Sequence, residues 1–200
     1  MPTARYIDSL KNPRIPGFEW QEPENDADRQ LYRDILDHGA VAVRGNSNDD
    51  YAFSIGLYLN FLHPEIIVMG LSRDVSNRAL YRILGEAEKG RILAKGDERS
   101  DLFELRFPVR FVPVDEKFYF DYIQYAAWFY RSLLFRVEPV AVHKFPVLQA
   151  IWADKNGFYP DDPHCDATAR RVQTLVEITT PPQWRISCHA PNLVNPVNPV

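Results

Sequence analysis

The sequence predicts an α+β domain, a mixed and mostly antiparallel sheet with two or three helices packed on it. Three observations carry this. Short β-branched or alternating runs recur at 40–44, 51–57, 65–69, 109–114 and 147–152. Segments of helical period stand among them at 25–38, 74–90 and 115–132. Glycine, asparagine or proline punctuates most of the junctions. With 200 residues and 46% hydrophobic content the chain can bury a core, and the length favours one domain.

Residues 1–24 hold Pro2, Pro13, Pro16 and Pro23 among polar residues and read as an extended arm anchored by Phe18 and Trp20. In the next segment Asn25 or Asp26 can cap a helix. Ala27, Leu31, Ile35 and His38 follow its period, and Gly39 stops it. The run 40–44, the turn residues 45–50 and the alternating stretch 51–57 make a hairpin. Glu65–Met69, apolar after its first residue, suits a strand covered on both faces. Asp74 or Ser76 caps a second helix, whose Ala79, Leu80, Ile83, Leu84 and Ala87 form one stripe before Gly90.

The charged stretch 89–101 reads as exposed. Leu102–Leu105 and Val109–Val114 read as strands confined by Pro108 and Pro113 to edges or ends. Asp115 caps a third, aromatic helix to about Ser132, apolar on several sides and therefore enclosed. Val147–Trp152 is the last clear strand, and Asn156-Gly157 and Pro160 mark turns. Ala167–Glu177 suits a short helix, Trp184–Ser187 an added strand, and 191–200 a loose tail. The expected division is an arm at 1–24, a core at 25–162 and an extension at 163–200.

Composition sets limits on function. A net charge of -4 works against nucleic-acid partners. The most apolar stretch, Phe118–Phe135, is interrupted by Asp121, Gln124 and Arg131, so no membrane span is expected. The amino terminus lacks the layout of a secretory signal, and Cys165 and Cys188 alone suit a reducing cytoplasm.

Three blocks carry a resemblance. They are YAFSIGLYLNFLHPEIIVMGLS at 51–72, PVRFVPVDEKFYFDYIQYAAWFY at 108–130 and FPVLQAIWADKNGFYP at 145–160. In this order and spacing they resemble a bacterial family designated domain of unknown function number 4262, over roughly residues 30–162. That family tends to show an "xTIGL" segment, then "HPEL", an apolar strand and "GL". This chain departs from its pattern at Leu62, where the family often has Gly, and at Ala153, where it often has Pro. The family's function is unknown, so the resemblance leaves activity and cofactor open.

Candidate chemistry comes in three groups. Ser54, His63 and Glu65 can be read as nucleophile, base and orienting carboxylate, because Pro64 favours an extended His63 that shares a side with Glu65. The plainer reading gives His63 a turn and Glu65 a salt bridge, and Ser54 lacks a nucleophile-elbow context. Gln149, Trp152, Asp154 and Tyr159, with Tyr125 and Trp128 of the aromatic helix, can line a ligand pocket. Against that, Gln149 can pair with main chain and Asp154 can begin a turn. His164, Cys165, Cys188 and His189 are weak zinc candidates, because adjacent ligands seldom reach one ion.

No phosphate-binding loop or dinucleotide motif is present. A small-molecule-binding domain, with or without chemistry on its ligand, is the expected function, its pocket between the aromatic helix and the strands carrying Ser54 and Gln149. A protein-interaction module, immunity-like or regulatory, is the alternative. A flavin-type cofactor on a small barrel is a third reading.

Overall fold

The computed structural model describes residues 5–45, 50–103, 107–134 and 145–176. A short helix α1 (Asp8–Lys11) lies in the amino-terminal segment, followed by α2 (Asp26–His38). Asn25 caps α2, its side chain accepting from the Asp28 amide, and Gly39 ends it at φ +89°. Strands β1 (Val41–Arg44) and β2 (Tyr51–Ile55) then form the antiparallel hairpin the sequence predicts.

The chain leaves β2 through Gly56, at φ +111°. A side chain there would place its Cβ 2.7 Å from the Gly39 carbonyl oxygen, so this turn needs glycine. The turn opens α3 (Leu57–Phe61), a short helix unmarked in the sequence pattern, where an extension of the strand is expected. Strand β3 (Glu65–Met69) and helix α4 (Arg73–Ala87) follow; Ser72, not Asp74 or Ser76, stands at the α4 N-cap.

Two strand expectations change. A two-residue strand β4 (Glu98–Arg99) falls inside the charged stretch, and Leu102 and Phe103, expected in a strand, lie in a bend with buried side chains. Strand β5 (Val109–Pro113) agrees with expectation. The aromatic helix is not continuous: a 3-10 turn (Glu116–Phe118), capped by Asp115, leads into α5 (Tyr119–Tyr122), α6 (Gln124–Phe129) and α7 (Arg131–Leu134). The breaks fall at Ile123 (φ −123°, ψ 37°) and Tyr130 (φ −92°, ψ 19°). β-Branched and aromatic residues hold helical geometry weakly, and changes of direction let rings on several sides of the segment be covered. Strand β6 (Val147–Trp152) and helix α8 (Ala167–Val172), capped by Asp166, complete the described elements.

The six strands form one sheet in the order β1-β2-β3-β6-β5-β4. Among the described strands only the central β3–β6 pair is parallel, with Ile67 opposite Gln149. Both central strands are buried along their whole length because helices cover the two faces. One face packs α2, the amino-terminal segment and the aromatic helices around Phe53, Ile67 and Val147. Phe18 and Trp20 anchor the amino-terminal segment there, their rings 5.3 and 5.5 Å from Phe129. The other face packs α4, Leu93, Phe103 and α8 around Ile66, Val68 and Phe111. No described helix is long and apolar enough to cross a membrane.

Candidate functional site

Glu65 begins β3 and is buried, yet its carboxylate has four donors. Oε2 accepts from the Ser54 hydroxyl at 2.5 Å. Oε1 accepts from the amides of Gly56 and Tyr58 at 2.9 and 3.0 Å and from the Tyr130 hydroxyl at 2.5 Å. Burial pushes the Glu65 carboxyl up, and the donors oppose that shift. Ser54 Oγ in turn accepts from the Ile66 amide at 2.8 Å. Tyr130 Oη accepts from the Gly56 and Leu59 amides, and burial beside Glu65 holds its phenol well above the ordinary range. Strands β2 and β3, the start of α3 and the aromatic segment are thereby tied at one buried point.

His63 does not join them. Its Nε2 accepts from the Leu93 amide at 3.2 Å, so Nδ1 carries the proton and donates to the Pro64 carbonyl at 2.6 Å. Burial lowers its pKa, favouring the neutral ring. The structure thus brings Ser54 and Glu65 together and turns His63 toward the loop before β4. Ser54 donates its hydroxyl to Glu65 and accepts the Ile66 amide, so the base read for it in the sequence, His63, does not reach it. Tyr130 was missed as a site residue in the sequence; its place two helical turns beyond Ile123 and one beyond Ala126 marks it only as an inward-facing ring.

The second group separates likewise. Gln149 is fully buried and binds main chain: Nε2 donates to the Thr174 carbonyl at 2.7 Å and Oε1 accepts from the Val176 amide at 3.1 Å. Gln173 acts the same way on Trp152, accepting from its amide and donating to its carbonyl, both at 2.9 Å. The Trp152 indole donates to the Met69 carbonyl. Asp154 accepts from the Asn156, Phe158 and Asp166 amides, which holds its carboxyl below the usual range. Tyr159 lies under the Arg110 guanidinium, 4.4 Å from the ring centroid, and burial near Glu98 raises its phenol. These four residues fix the segments after β6.

Tyr125 and Trp128, by contrast, line a cleft of about 710 Å³ between the aromatic helices, β2 and the start of α2. The two rings stack at 5.4 Å, and Tyr32 also stacks on Trp128 at 6.1 Å. Tyr51 and Phe53, two apart on β2 and so on one face, supply a second aromatic wall, with Tyr122 edge-on to Tyr51. Asp28 is buried against the cleft. Its Oδ1 accepts from the Tyr125 hydroxyl at 2.7 Å and its Oδ2 from the Glu24 amide at 2.8 Å. Burial and Asp28 both raise the Tyr125 phenol. The cleft lies between the aromatic segment and β2, and neither Ser54 nor Gln149, around which the pocket was expected, takes part in its lining.

Of the zinc candidates, His164 is exposed and contacts Asp162 at 2.9 Å, while Cys165 is buried, its thiol pushed up by burial. Cys188 and His189 lie outside the described residues, as does the expected strand Trp184–Ser187. Among the described residues no group of three or more His, Cys, Asp or Glu is arranged to hold a metal ion.

The model of a family described as domain of unknown function, DUF4262, matches residues 34–166. The chain belongs to the DUF4262 family. No curated protein matches the chain, and no solved structure does. The matched DUF4262 region includes all six strands, the Ser54–Glu65–Tyr130 node, His164 and Cys165, whereas Glu24 and Asp28 at the cleft precede it. This DUF4262 member places Leu62 in the left-handed region (φ 56°, ψ 22°) as the C-cap of α3.

Proposed function

We propose that this DUF4262 domain binds a small organic ligand in the aromatic cleft. The observation that carries the reading is the pair of facing walls, Tyr125–Trp128 and Tyr51–Phe53, around about 710 Å³. That volume falls in the range of ligand sites, about 300–1,000 Å³. Its few polar groups, foremost Asp28, would orient what the rings hold. A concave cleft, rather than a flat apolar face, is what favours ligand binding over a protein-interaction module.

The reading is one of binding. The Ser54–Glu65 pair contributes no reactive group to it, since their hydrogen-bonding capacity is spent on tying the fold. The acidic balance of the chain supports a partner other than nucleic acid, and the low cysteine count fits a reducing cytoplasm.

A fragment screen followed by NMR of the tryptophan indoles tests this. The expected result is that aromatic or heteroaromatic fragments move the Trp128 indole resonance saturably and that Trp128→Ala removes their binding. A diverse fragment set that leaves Trp128 unmoved overturns the proposal.

A further inference from the structure

We infer that the ligand of the cleft is an organic cation, an amine or quaternary ammonium carried on a flat apolar body; this rests on the proposed binding at the cleft. Two features of the cleft select that chemistry, the sign of its charges and the nature of its walls.

The lining carries three carboxylates and one guanidinium. Asp28 is buried at the base, Glu24 and Asp121 are exposed at the mouth, and the single base, Arg44, is engaged by Asp50 at 2.9 Å. A cleft lined by one sign of charge concentrates ligands of the other sign. The start of α2 would ordinarily draw an anion, since a helix N-terminus presents free amides and a positive dipole end. Here that end already faces acceptors and acidic groups. Asn25 accepts from the Asp28 amide, Asp28 accepts from the Glu24 amide, and the first turn carries Asp26 and Asp28. An anion entering the cleft would meet carboxylates where it needs donors.

The walls agree with the charges. Aromatic faces attract a cation through the ring quadrupole, and the effect is strongest for indole. Tyr125 and Trp128 form one wall and Tyr51 and Phe53 the other, so a bound ammonium can lie against rings while Asp28 supplies the counter-charge. Tyr125 links the two functions: its ring belongs to the wall, and its hydroxyl donates to Asp28 and fixes the carboxylate.

The probes are a matched series, 3-phenylpropylammonium, 3-phenylpropan-1-ol and 3-phenylpropanoate, titrated into the full chain with the Trp128 indole as reporter. The ammonium should bind about three- to thirtyfold more tightly than the alcohol, and the carboxylate more weakly than either. Asp28→Asn should remove most of the preference for the ammonium, read as the ratio of ammonium to alcohol affinity. Because Asp28 also supports the start of α2, the double variant Glu24→Gln/Asp121→Asn, altering only exposed side chains, should reduce the same preference independently. Equal binding of all three probes, or tighter binding of the carboxylate, overturns the cation inference and leaves the cleft as a ligand site. Binding by none of the three overturns both.

Discussion

Replacing Glu65 by alanine removes the acceptor at the one point where β2, β3, α3 and the aromatic segment meet. Four donors lose it, but not all are stranded. The Gly56 amide keeps a second acceptor in Tyr130 Oη at 3.2 Å, and the Ile66 amide keeps Ser54 Oγ at 2.8 Å. The Tyr58 amide and the two hydroxyl protons are left over. At about 1–3 kcal/mol for each stranded donor, reduced where a hydroxyl can rotate, the loss is about 3–5 kcal/mol. That is a large share of the roughly 5–15 kcal/mol that holds a domain folded.

In urea, with a slope near 2 kcal/mol per molar, the unfolding midpoint read by tryptophan fluorescence should fall by about 1.5–2.5 M at unchanged slope. Glu65→Gln, which keeps one acceptor oxygen but turns the other end into a donor facing hydroxyls, should lose about 1–3 kcal/mol. The pH dependence has a definite sign. Because burial raises the folded-state pKa of Glu65, the folded chain retains a proton that the unfolded chain releases near pH 4.3. Stability therefore falls as pH rises from there toward the folded-state value, and Glu65→Gln removes that slope. A Glu65→Ala midpoint within about 0.5 M of the parent would refute the claim that this carboxylate ties the elements together.

Leu62→Gly should raise stability by about 0.5–1 kcal/mol, because it relieves a left-handed leucine, 47% exposed, at a modest cost in chain entropy. A lower melting temperature in that variant would contradict the strain argument. His63, neutral and bonded through both nitrogens, should show no ring titration in the folded state near its ordinary value of about 6.5. Its lowered pKa makes stability fall as pH drops below about 6.5, where the unfolded chain takes up the proton first; NMR of the ring and urea midpoints at pH 7 and 5.5 check both points. Gln149→Ala should cost about 1–3 kcal/mol and accelerate hydrogen exchange at the Val176 amide, whose acceptor it removes. Unchanged exchange at Val176 would show that this segment is held by other means.

Much of the fold was readable because its signals are local. Strands β3 and β6 have the bounds expected from their apolar runs, and α2 has the cap and stop that Asn25 and Gly39 announce. The errors fall where neighbours outvote local pattern. The aromatic segment has a helical period throughout, but rings on several sides had to find cover, and it breaks at Ile123 and Tyr130. The FSIGL block reads as strand through Leu57, whereas Gly56 turns the chain into α3. For the site, Tyr125 and Trp128 were within reach as rings of a common helix, while Asp28, Tyr51 and Phe53 were not singled out. Asp28 looks like an ordinary first-turn acid until Tyr125, 97 positions later, donates to it.

By itself the sequence determined the family, the α+β class and the bounds of β3, β6 and α2, because caps, glycine turns and hydrophobic period act over a few residues. Only the tertiary structure decided which polar groups in apolar strands are spoken for. Ser54, Glu65 and Gln149 look alike in a sequence as polar interruptions, and burial obliges each to find partners; who those partners are depends on Tyr130, Ile66 and Val176, brought alongside by the sheet. The cleft was decided the same way, by two aromatic walls from distant parts of the chain that meet beside α2.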